Sequence, residues 1–188
     1  MRTFIAIDLD EEIKKNLISF ISELDKLTTG GSSIRWVKPE GMHLTLKFLG
    51  EISGEKVREI EKILKTVSEK YQSFILKFKG TGSFPPGSRN PRVLWIGIEE
   101  EETLEALQFH LEGELEKLDF PREKRKYHPH LTLGRVKIPS PQRETLSLLE
   151  KNKETNFGEM RAKKLTFFQS ILKPSGAEYS ALSEFELK

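Results

Sequence analysis

The sequence predicts a duplicated, two-lobed fold of strands and helices, and three observations predict it. The tetrapeptide His-Leu-Thr-Leu occurs twice, beginning at His43 and at His130, 87 residues apart. Around each copy the pattern reads strand, helix, motif strand, helix, strand, with 39 residues from Phe4 to His43 and 37 from Val93 to His130. Such agreement argues for an internal duplication in one bilobal domain over residues 1–188, its halves roughly 1–80 and 91–188. An approximate two-fold axis between them would set the motif strands side by side. The chain closes on a hairpin-like pattern, which favours antiparallel or mixed sheets over the parallel sheet that strands joined by helices would suggest.

Composition narrows the class. With 188 residues, 36% hydrophobic and 32% charged, the chain can bury a core without staples. It has no cysteine, which excludes disulfides, thiolate metal sites and cysteine nucleophiles. The N-terminus meets a charge too early for a signal peptide and no apolar run approaches membrane length, so a cytoplasmic protein with no membrane partner is expected. A net charge of +2 exerts no strong global pull on nucleic acid. Local attraction would have to come from Arg122, Lys124, Arg125 and Lys126, which read equally well as a solvated loop.

In order, Thr3 to Asp8 reads as a buried strand. Ile13, Leu17, Phe20, Ile21 and Leu24 then recur at helical spacing, up to Gly30-Gly31. Ile34 to Val37 is short and extended, closed by Pro39. The first motif strand runs to Phe48 and ends at Gly50, and Ser53 can cap a helix with Val57, Ile60, Leu64 and Val67 on its apolar face. Phe74 to Lys79 is a strand, and Gly80 to Pro91 is the most loop-like stretch. Val93 to Ile98 is a strand; Leu104, Leu107, Leu111, Leu115 and Leu118 mark a helix; a basic loop leads to the second motif strand. Ser140-Pro141 opens a helix through Leu146 and Leu149. Leu165 to Leu172 is a strand, and after the Pro174-Ser175-Gly176 turn Tyr179 to Leu187 is the last.

Strand side chains alternate between faces, so His43 and Thr45 share one face while Leu44, Leu46 and Phe48 point into a core; His130 and Thr132 repeat the arrangement. Two facing imidazoles suit phosphoester chemistry, one neutral to take a proton and one charged to give it. The threonine hydroxyls can donate to non-bridging phosphate oxygens. A single such tetrapeptide is most simply an amphipathic strand with a wet face; the second copy at a matching place is what points to chemistry. His128 with His130 and His43 could instead form a three-histidine zinc site, though Pro129 interrupts the strand and no carboxylate lies close in sequence. Phe84 could stack on a base or pin its loop to the core; Tyr127 could serve the site or the core; Trp36 and Trp95 read as core.

The paired motifs resemble the two-histidine phosphoesterase superfamily. Arg35 to Glu51, Gly82-Ser83-Phe84-Pro85, Pro91 to Trp95, His128 to Arg135, and Ser170-Ile171-Leu172 with Gly176 and Tyr179 are similar in order to the RNA 2',3'-cyclic phosphodiesterases, once called 2'-5' RNA ligases. The resemblance implies an α+β fold with two antiparallel sheets flanked by helices around a central cleft, and no cofactor or metal. It also implies hydrolysis of RNA 2',3'-cyclic phosphate ends, tRNA fragments among them, to 2'-phosphates, with weak 2'-5' ligation as a side reaction. His43 and His130 carry over as catalytic, and Thr45, Thr132 and Arg135 as substrate contacts, joined by Phe84 and Tyr127 as further candidates; a monomer is expected. Arg135 would lie on the face opposite His130 in a regular strand, so a bulge near Gly134 is needed to turn it in. A non-catalytic RNA-end binding module and a zinc-dependent phosphodiesterase stay open as alternatives.

Overall fold

The computed structural model describes residues 1–28, 33–137, 142–174 and 176–188. It has two antiparallel sheets and four helices. One sheet has the order β3 (His43–Glu51), β1 (Arg2–Asp8), β8 (Lys164–Lys173), β9 (Gly176–Glu186). The other has the order β2 (Ile34–Trp36), β6 (His130–Val136), β5 (Val93–Ile98), β4 (Phe74–Phe84), β7 (Asn156–Ala162). The motif strands β3 and β6 belong to different sheets, and their Cα atoms approach within 8 Å.

Each sheet draws on both halves of the chain. β4 leaves the first half to pair with β5, and β8 returns from the second to pair with β1. The helices cross over as well. α1 (Glu11–Leu27) is capped by Asp10, whose Oδ1 accepts from the amide of Ile13 at 2.9 Å. It packs against β7, with the Phe20 ring 5.0 Å from that of Phe157 and Asn16 Nδ2 donating to the Phe157 carbonyl at 2.9 Å. α4 (Arg143–Lys151) lies beside it over β4. α2 (Gly54–Ser68) and α3 (Glu102–Glu116) pack on each other and cover the sheet of β1 and β3. Leu44, Leu46, Leu131 and Leu133, the apolar residues of the motif, are buried in the continuous core.

Three expectations change. The first motif strand passes Gly50, at φ 73°, and ends at Glu51. Gly80 to Pro91 is not wholly loop: β4 runs on to Phe84. Its glycines mark a bulge at Gly80, φ 75°, and a close approach at Gly82, where a Cβ would collide with the Trp95 ring. β7 escapes the pattern because Gly158, at φ 117°, interrupts its alternation, leaving Phe157, Met160 and Ala162 as its buried positions. Ser53 is the N-cap residue of α2 but makes no side-chain capping bond. The Gly30-Gly31 stop, the Ser140-Pro141 cap and Ser175 of the last turn lie outside the described residues.

Two links draw the motif strands together. β2 pairs with β6, the Val37 amide donates to the Leu133 carbonyl at 2.8 Å, and a single 3₁₀ turn at Pro39–Gly41 then delivers His43. On the other side, Lys47 Nζ donates to Glu112 Oε2 of α3 at 2.6 Å and to the Pro121 carbonyl at 2.6 Å. Glu112 also accepts from Gln108 Nε2 at 3.1 Å and from the Glu123 amide at 3.1 Å. Both ion-pair partners are 8% exposed, and their bonds tie the chain before the second motif to the strand carrying the first.

Removing one partner of a buried ion pair strands the other in low dielectric, whereas replacing both with apolar residues of similar volume leaves no orphan. Lys47→Met should therefore destabilise the protein by about 3–5 kcal/mol, and Lys47→Met with Glu112→Leu should recover most of that loss, as read from urea unfolding midpoints.

Candidate functional site

His43 opens β3 opposite Asp8 of β1. Its ring lies among aromatic neighbours: Phe4 at 4.6 Å between centroids, Tyr179 edge-on at 5.1 Å, and Phe168 at 5.7 Å. Burial among them disfavours the charged imidazolium and lowers its pKa from 6.5 to about 4, Asp8 pulling it up and Lys14 pushing it further down. Phe4 and Phe168 come from strands on which nothing local marks them as site residues, so sequence reading missed them.

His130 opens β6 opposite Gly97. Its Nδ1 lies 2.7 Å from the His128 carbonyl oxygen. A carbonyl only accepts, so Nδ1 carries a proton and Nε2 is the nitrogen left to gain or give one. Trp95, Phe84 and His128 surround the ring, with Phe84 edge-on at 5.2 Å. Burial lowers its pKa, the His128 carbonyl works the other way, and the charges of His128 and Arg135 lower it further.

The same irregularity comes after the threonine in both motif strands. Ala6 pairs with Thr45 and Ile5 with Lys47, so Leu46 is left over; Trp95 pairs with Thr132 and Leu94 with Gly134, so Leu133 is left over. Each is a β-bulge that reverses the facing of the residues beyond it. The fifth residue after each histidine, Phe48 in one strand and Arg135 in the other, is thereby brought onto the face of the histidine and threonine, and both line the cleft. The bulge needed for Arg135 is present. Gly134 makes it possible, because a Cβ there would lie 2.7 Å from Cε3 of Trp36. Phe48 was expected in the core; the matching bulge turns it out, 64% exposed.

The resulting cleft measures about 1650 Å³ and is lined by His43, Thr45, His130, Thr132, Arg135 and Tyr127, with Arg2, Arg122, Arg125 and Lys126 farther out. Of the basic loop only Lys124 is absent from the lining. The Tyr127 hydroxyl donates to the Thr45 carbonyl at 3.0 Å and burial raises its pKa, so the residue braces one motif strand against the other. Phe84 is the last residue of β4 rather than a loop residue, is not part of the lining, and leans on Trp95 and His130. Trp95 is only half-buried and backs His128 at 5.1 Å. Of the three histidines weighed as zinc ligands, His128 and His130 stand 6.2 Å apart by ring centroid, and among the described residues no three His, Asp or Glu side chains gather as a metal requires.

A histidine held neutral in the fold links stability to pH. His43 binds its proton near pH 4 when folded and near 6.5 when unfolded, so the unfolded chain holds more protons in that window and stability falls as pH drops through it. His43→Gln should remove about 2–3 kcal/mol of this loss between pH 6.5 and 4, seen as a flatter dependence of unfolding free energy on pH.

The sequence matches the description "LigT like Phosphoesterase" twice in tandem, over residues 7–95 and 96–179. It is 41% identical over 187 residues to the RNA 2',3'-cyclic phosphodiesterase of Archaeoglobus fulgidus, covering 99% of this chain and 100% of that one. Among solved structures, TT0787 of Thermus thermophilus superposes with a TM-score of 0.83 at 28% identity, over 100% of this chain and 98% of that one. E. coli LigT complexed with 3'-AMP superposes at 0.77 and 26%, over the same shares. On sequence and on fold alike, the chain belongs to the LigT-like phosphoesterase family.

Proposed function

We propose that this protein opens the 2',3'-cyclic phosphate at RNA ends to leave a 2'-phosphate, with His43 and His130 as a metal-independent acid–base pair. The observation that carries the reading is the matched pair of bulged strands, each delivering a histidine and a threonine to one cleft. The names of the relatives support the substrate class, and the tandem family match supports a bilobal domain made by duplication.

In this reading water attacks phosphorus and gives its proton to Nε2 of His130, while His43 protonates the departing O3' as the P–O3' bond breaks. The tautomer set by the His128 carbonyl suits His130 to the base role. His43 is neutral at pH 7 in the empty cleft, and the negative charge of a bound phosphodiester raises its proton affinity to that of a working acid. The hydroxyls of Thr45 and Thr132 donate to non-bridging oxygens, and Arg135 offsets their charge. A 5'-hydroxyl in place of water would form a 2'-5' linkage by the same proton transfers.

The test is turnover of a short oligonucleotide ending in a 2',3'-cyclic phosphate, with and without EDTA, the product identified by ³¹P NMR. Hydrolysis to the 2'-monophosphate should persist in EDTA. His43→Ala and His130→Ala should each cost on the order of 10²- to 10⁴-fold in kcat/KM, and the double variant far less than the product of the two. Loss of activity in EDTA restored by zinc would install the metal reading, a 3'-monophosphate would reverse the binding direction, and binding without turnover would leave an RNA-end binding module.

The pH profile follows from the two depressed histidines. One must be charged and the other neutral, so kcat/KM should be bell-shaped with its optimum on the acid side of 6.5. The alkaline limb of kcat should lie at higher pH than that of kcat/KM, because bound substrate raises the acid.

A further inference from the structure

We infer that the cleft holds a second nucleotide, on the 5' side of the cyclic end, with Phe48 as the platform for its base and Arg2 beside it for the phosphate. The inference rests on the proposed phosphodiesterase reading, which also sets the direction: a 2',3'-cyclic phosphate closes the 3' end, so the rest of the RNA extends 5'.

Three observations carry it. The cleft, at about 1650 Å³, exceeds the roughly 300–1,000 Å³ usual for a small-molecule pocket. Rings lead outward from the catalytic end: His43 lies 4.6 Å from Phe4, and Phe4 lies 6.0 Å from Phe48. Phe4 is 2% exposed, so Phe48, at 64%, is the first ring in this row with an open face. Arg2 lies two residues from Phe4 along β1, is exposed, and lines the same cleft. An exposed aromatic ring beside a cation on a sheet face is the arrangement that stacks a single-stranded base regardless of its identity.

The opposite wall also carries an exposed ring, Phe109 of α3, under the Arg122 guanidinium at 5.2 Å. That wall bears Glu102, Glu105 and Glu123, whose charges repel a phosphate backbone, and Arg122 is paired to Glu116 at 2.9 Å. The sheet side is therefore the path taken. The duplication sharpens the assignment. Phe48 occupies in β3 the post-bulge place that Arg135 occupies in β6, so equivalent positions serve base and phosphate respectively.

The experiment compares kcat/KM on a 2',3'-cyclic mononucleotide and on a dinucleotide with the same cyclic end. Wild-type protein should prefer the dinucleotide; Phe48→Ala should lower the dinucleotide-to-mononucleotide ratio roughly tenfold, mainly through KM, and Phe48→Tyr should restore it. Arg2→Ala should lower the same ratio and weaken its dependence on salt. An unchanged ratio in Phe48→Ala, or a wild type with no preference, overturns the subsite. A wild type inert on both substrates overturns the phosphodiesterase reading instead. The subsite is then decided by fluorescence titration of a dinucleotide and a mononucleotide 3'-phosphate against wild type and Phe48→Ala, where equal loss or no loss overturns it.

Discussion

The alternation of faces along a strand is the constraint on which this site depends, and the single residue left unpaired after each threonine is what breaks it. Without Leu46 and Leu133 in their bulges, each strand would present a histidine and a threonine to the cleft and then turn its next functional residue into the core. With them, three side chains of each motif face the same way. The bulged leucines are themselves buried, 3% and 0% exposed, so the irregularity is held by the same apolar packing that holds the sheets. Phe48 and Arg135 show that one backbone device, used twice, can present quite different chemistry.

The aromatic setting of the histidines has a second consequence. Rings around His43 exclude water, which makes its charged form unfavourable until an anion arrives. The site therefore couples proton uptake to occupancy: the negative substrate raises the proton affinity of the group that must later give that proton away. Polar fixation is reserved for His130, whose Nδ1 is held by a backbone carbonyl. The two histidines are alike in strand position but differ in surroundings, and that difference is what distinguishes their roles.

Much of this was legible in the sequence, for identifiable reasons. His43, Thr45, His130 and Thr132 stand out because a four-residue repeat is a local signal and a strand's period is two. Arg135 was recognisable only with a bulge, and Gly134 hinted at one. Phe48 misled, since Lys47 at the matching place in the first strand is no glycine and leaves no such hint. Phe4, Phe168 and Tyr179 gather around His43 from three different strands, and only cross-strand register reveals that. β7 was missed because Gly158 breaks its alternation, and β4 was cut short because Gly80 and Gly82 look like a turn where they serve a bulge and a tryptophan ring. The crossover of β4 and β8 was beyond any local pattern.

That crossover bears on the order in which the molecule can be built. β1 and β3 are made early, yet their sheet is completed only by β8 and β9 at the far end of the chain, where Thr3 meets Gln169 and Ser170 meets Tyr179. Two of the three rings around His43, Phe168 and Tyr179, arrive with those last strands. During synthesis the first motif therefore waits on an unfinished sheet with an open edge, and loop-closure entropy over most of the chain must be met before its site exists. The two lobes resemble separable halves in sequence, but in assembly neither can mature without the other, and the reactive pocket is among the last features to form.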